Sequence, residues 1–160
     1  MSTLKIFLLG AFLSFLPISE LRGAIPFMIY HNIPWYIAWP FASFVNALVA
    51  PFCWIFLSTL HKFFLKMKWY KKFFDKFVEN ARLKIKPGVE KWGALGIAIF
   101  VAIPLPITGA WTATLGAWVL NLEKKKTMLA VILGVIISGG VVSTAMTSGI
   151  ELFNIFFKKV

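Results

Sequence analysis

The stretch Phe100–Trp118, FVAIPLPITGAWTATLGAW, constrains this chain more than any other part of it. It is almost wholly apolar, yet Pro104, Pro106 and Gly109 sit at its centre. Each proline removes a backbone donor and clashes with the preceding turn, and glycine lets the chain bend freely. No straight helix passes such a point. Irregular backbone survives at membrane depth only when buried in protein or lining a cavity. In transporters such breaks mark the substrate or ion site. The segment points to membrane transport rather than soluble chemistry.

Composition supports this. Of the 160 residues, 59% are hydrophobic and only 14% charged. A soluble domain of this size could not hide so much apolar surface, so lipid must cover much of it. The net charge of +11 is concentrated. Ten basic residues lie between Lys62 and Lys91, and Lys124, Lys125 and Lys126 form a second block. Basic loops stay cytoplasmic, which places both blocks on the inner face. A nucleic-acid partner is set aside because the segments flanking the charge are membrane-like. Cys53 is the single cysteine, so neither an intrachain disulfide nor a thiol metal cluster can form. Lys5 and Ile6–Leu16 resemble a signal peptide, but the residues after Leu16 offer no small-x-small cleavage site, and the segment is expected to be retained.

Leu4–Leu16 is an apolar helix of 13 residues, too short to cross a core of about 30 Å. Pro17, Glu20 and Arg22 interrupt it, and Gly23 and Pro26 are expected to prolong the break. Pro34 and Pro40 punctuate the next apolar run around Trp35, Tyr36 and Trp39, an aromatic cluster suited to the membrane–water interface. Phe41–Leu60 then gives 20 residues without charge, enough for one crossing. From His61 to Lys91 apolar residues recur at helical spacing among lysines, which predicts a basic amphipathic helix on the anionic inner leaflet, ended by Pro87-Gly88. Gly93–Ile103 and Ala110–Leu120 are apolar half-helices either side of the Pro104–Gly109 break. Neither spans alone, so a hairpin re-entering from the cytoplasm is the simplest solution. Thr127–Ser148 is a second full crossing.

The two halves now match. The expected fold is all-α and integral to the membrane. Two re-entrant (broken) helix hairpins, each followed by a transmembrane helix, form an inverted repeat with the basic amphipathic helix between the halves. The whole chain is one membrane domain: 1–60 the first half-repeat, 61–91 the linker helix, 92–148 the second half-repeat and 149–160 a tail.

Ionisable groups inside apolar segments are costly and usually face a cavity or a partner. Glu20 and Arg22 are therefore the leading candidates, Glu20 as a proton carrier and Arg22 as an anion clamp through its planar guanidinium. At the second break, Pro104, Pro106, Thr108, Gly109 and Thr112 combine freed backbone groups with hydroxyls beside the N-terminus of a helix, where an anionic head group could bind. Pro26 and Asn46 join the candidate binding residues, although an intramembrane Asn usually satisfies itself across helices. Lys66, Lys71, Lys72 and Lys76 are the expected membrane-surface contacts, with anionic inner-leaflet lipid as partner. The small residues Gly109, Ala113 and Ala117, and Gly134, Ser138, Gly139 and Gly140, suit close helix packing within the chain or in a homo-oligomer. No enzyme constellation, cofactor motif or metal spacing is present in the sequence.

Glu20-Leu21-Arg22-Gly23-Ala24-Ile25-Pro26, Lys91-Trp92-Gly93 and Phe100–Trp118 resemble the bacterial family of small multidrug export proteins, over nearly the whole chain. That family is in turn similar to the DedA and VTT-domain membrane proteins. The resemblance implies facing re-entrant hairpins, a bacterial cytoplasmic-membrane location, and movement of lipid or small molecules. DedA proteins carry arginines near the prolines of the second hairpin, and Phe100–Trp118 has none. The expected function is transport of an amphipathic small molecule or lipid head group, coupled to protons through Glu20. The alternatives are a DedA-like lipid flippase and a non-transporting scaffold that binds anionic lipid.

Overall fold

The computed structural model describes residues 1–59, 68–105 and 108–157. All regular structure among them is helical. Helix α1 (Thr3–Phe15) stops because Leu16 precedes Pro17. A residue before proline is pushed out of the helical region, and Leu16 is extended at φ −66°, ψ 135°. The break is shorter than the sequence suggests. Helix α2 (Glu20–Tyr30) begins after only a few residues and runs through Gly23 and Pro26. Pro26 forgoes one backbone bond, but Leu21, Ala24, Ile25 and Met28 are buried and hold the helix against its neighbours.

Helices α3 (Trp35–Ala47) and α4 (Val49–Thr59) follow each other across Leu48. Together they form a stretch of 25 residues, Trp35–Thr59, long and apolar enough to cross a membrane. The crossing thus starts before Phe41, because Pro40 lies inside α3 rather than ending it. Pro34 instead caps the start. Pro51 sits in the first turn of α4, where a missing N–H costs no helical bond.

Helix α5 (Lys68–Trp92) continues through Pro87-Gly88, which the sequence marked as its end. Its second half packs against α6 (Ala94–Ala102) and α7 (Ala110–Val119), burying Ala81 and Ile85. Gly88 and Gly96 bring the α5 and α6 backbones together, so a Cβ at Gly96 would collide with the Gly88 carbonyl. The amphipathic face therefore packs, in this half, on protein. Helix α8 (Lys124–Phe157) contains the second stretch able to cross a membrane, Lys124–Gly149.

The core lies where α8 meets α2, α3 and α6, with Ile25, Val49, Ile97, Val131 and Val135 buried. Small residues on α8 are used within the chain: Gly134 faces Val101 and Gly139 faces Trp39. Trp39 Nε1 donates to the Ile136 carbonyl at 3.0 Å, while Leu48 and Pro51 lie beside Met128. The two long apolar stretches are therefore antiparallel. Gly96→Ala should cost about 1–3 kcal/mol through overpacking at the α5–α6 contact, measured as thermal unfolding in detergent. Gly149→Ala, with nothing near its Cβ position inside α8, should not lower the transition and should stabilise by at most about 1 kcal/mol.

Candidate functional site

Glu20 opens α2 in the left-handed region, at φ 47°. Its residue surface is only 5% exposed. The carboxylate accepts backbone N–H bonds from Ala110 and Trp111, the first two residues of α7. These amides have no partner within their own helix, and the positive end of the helix dipole lies there. A charged group from the first half thus caps a helix of the second. Gly109 is required by this contact alone. Its own φ of 171° is extended backbone open to any residue, but a Cβ there would collide with the Glu20 carboxylate.

Arg22 closes the arrangement. Its Nη2 lies 3.3 Å from Glu20 Oε2 and donates to the Thr108 carbonyl at 2.9 Å. Arg22 therefore ties Glu20 to the chain break between α6 and α7. Nη1 of the same guanidinium is buried and meets no acceptor among the described residues.

The break is stitched from within. Leu105 N–H donates to the Ile103 carbonyl at 2.8 Å. The Thr108 hydroxyl donates to Ile103 O at 3.0 Å or Leu105 O at 2.7 Å. The hydroxyl expected to face a ligand thus holds the turn. Pro104 follows Ile103, whose extended conformation ends α6 as Leu16 ends α1. Thr112 lies on the buried face of α7. Pro106 falls outside the described residues.

One contact runs the other way, and a second closes the end of α1 from within the first half. Trp111 Nε1 donates to Phe15 O at 2.8 Å, and Asn46 Nδ2 donates to Ser14 O at 2.7 Å. Both acceptors are last-turn carbonyls of α1, left over where the helix ends. The Phe15 and Trp111 rings meet edge to face at 5.5 Å. Of the sequence candidates, Glu20, Arg22, Thr108 and Gly109 come together. Asn46 serves the end of α1, and Pro26 lies within α2 away from the break in the chain. Lys66 falls outside the described residues, as do the side chains of Lys71, Lys72 and Lys76. Trp111 is the participant that sequence reasoning passed over. Its position at the start of the returning half-helix, the only polar tip there besides the threonines, was the available signal. Among the described residues no group of three or more His, Cys, Asp or Glu is placed to hold a metal ion.

A family model described as "Putative small multi-drug export protein" matches residues 20–141. The match begins at Glu20 and takes in the second break and most of the longer apolar helix. No curated protein and no solved structure matches the chain.

Glu20→Gln, Arg22→Met and the double variant, unfolded in detergent, should give a coupling energy at the upper end of about 0.5–3 kcal/mol. Additive losses would mean that the pair does not act as one unit. Trp111→Phe should keep the ring contact and lose the bond to Phe15 O, costing about 1–3 kcal/mol by the same measurement.

Proposed function

The chain belongs to the small multi-drug export protein family, and on that premise we propose that it is a membrane transporter for amphipathic small molecules or lipid head groups. In this reading α1–α2 and α6–α7 are facing re-entrant hairpins of an inverted repeat, and α3–α4 and α8 are the crossings that follow them. The basic faces lie on the cytoplasmic side of a bacterial inner membrane, with α5 lysines against anionic lipid. The observation that carries the proposal is the Arg22–Thr108 bond at 2.9 Å. It joins, over 86 residues of sequence, a partly buried ion pair to a chain break in an otherwise apolar segment. Ion pairs and broken helices are both expensive in lipid, and both are associated with transport sites when they coincide.

The described arrangement is a closed one. The Glu20 carboxylate is held by Arg22 and two amides, and little of it reaches solvent. Opening requires that hold to be replaced. A proton on Glu20 removes the charge that Arg22 and the α7 N-terminus attract. A cationic substrate competes with Arg22 for the same carboxylate, and an anionic head group competes with Glu20 for Arg22 and the amides. The Nη1 group of Arg22, without an acceptor, supplies a donor for the last case. Proton and substrate thus act on one latch, which is the minimum needed for coupling.

Purified protein in liposomes with an imposed pH gradient should move a lipophilic cationic dye or a labelled phospholipid at a saturable rate. Glu20→Gln should reduce the gradient-dependent part to background, while Gly149→Ala should retain it. Undiminished gradient-driven movement in Glu20→Gln removes the coupling role. No movement of any probe by the wild type leaves the non-transporting scaffold as the better description.

A further inference from the structure

The antiparallel stretches Trp35–Thr59 and Lys124–Gly149 leave a gap between them. Between them runs an apolar groove of about 550 Å³, lined by Trp39, Phe44, Leu48, Met128, Ile132 and Ile136 among others. That volume falls within the about 300–1,000 Å³ typical of small-molecule sites. Trp39 closes one end, because its ring donates across the groove to Ile136 O. The other end lies at Met128, one helical turn above Lys124. Residues four apart share a helix face, so Lys124, Met128 and Ile132 form one column, with Lys125 three residues before Met128 beside it.

The groove is thus apolar along its length and cationic at its open end. Lys124, Lys125 and Lys126 are all exposed, and they occupy the first turn of α8, where the helix dipole is positive. Lys126 pairs with Glu123 at 2.8 Å, while Lys124 heads the column that leads into the groove and Lys125 lies beside it. A neutral lipid leaves these charges unanswered. A soluble anion leaves the groove unfilled. An anionic phospholipid answers both, with the chain along Met128, Ile132 and Phe44 and the phosphate at the first turn. The aromatic cluster Trp35, Tyr36 and Trp39 lies at the far end, as the opposite membrane interface requires.

We propose that this groove holds one acyl chain of an anionic membrane phospholipid whose phosphate rests on Lys124 and Lys125 at the start of α8. The site is separate from the Glu20–Arg22 latch and would exist whether or not the protein transports anything. The lipid acts as a wedge between the two long apolar stretches and fixes their spacing.

Full-length protein in mild detergent, titrated with phosphatidylglycerol or phosphatidylcholine and read by native mass spectrometry, tests this. Phosphatidylglycerol should bind at least tenfold more tightly. Lys124→Gln with Lys125→Gln should abolish the preference, and Ala47→Phe, which fills the groove, should abolish binding of both lipids. Because Ala47→Phe could disturb folding, the wild type is also treated with phosphatidylglycerol bearing a photoreactive acyl chain. Adducts should map to the groove residues of α3 and α8. Equal binding of the two lipids overturns the headgroup assignment. Adducts elsewhere, or full retention in folded Ala47→Phe, overturn the groove as the site. Each readout is a binding measurement, so its failure is independent of the transport assay.

Discussion

A carboxylate from one half of the chain occupies the helix N-terminus of the other, and the rest of the site follows from that contact. A buried charge is costly unless several donors meet it. Glu20 has three: the amides of Ala110 and Trp111, and the guanidinium of Arg22. The dipole of α7 adds to them. Gly109 has to lack a side chain because the carboxylate occupies that space. Arg22 has to be long because a single nitrogen at its tip, Nη2, reaches both Glu20 and the Thr108 carbonyl.

The same economy governs the end of α1. The carbonyls of Phe15 and of buried Ser14 are met by Trp111 and Asn46 from two other helices. The two chain breaks therefore satisfy one another's leftover groups. α7 receives an acceptor from the first half, and α1 receives a donor from the second. Irregular backbone in apolar surroundings can persist on these terms and hardly on any others. The closure also ties the two breaks to each other, since each is completed by groups from distant parts of the sequence.

Much of the helical order was legible in the residues. Pro17, Pro34 and Pro104 all end or begin helices, and in the first and last cases the preceding residue is extended. Pro26, Pro40 and Pro87 look the same in the sequence and lie within helices. The difference is tertiary. Ala24, Ile25 and Met28 around Pro26, and Ala38 and Ala42 around Pro40, are wholly buried, and their packing outweighs a local penalty of about 3 kcal/mol. Glu20 and Arg22 were visible because charge is conspicuous among apolar residues. Their partners were not, since Thr108 and Ala110 offer only backbone, which every residue has. Trp111 reaches a carbonyl 96 residues away, and nothing local to it announces that distance.

Among the described residues, Glu20, Asn32 and Asn121 are the non-glycine residues with a positive φ. Such a conformation costs on the order of 1–3 kcal/mol and persists only while its surroundings enforce it. The contacts to α7 and Arg22 therefore hold a backbone conformation as well as a charge. The shape of the turn between α1 and α2 is thus set from a distant part of the chain, by a helix that begins far later in the sequence.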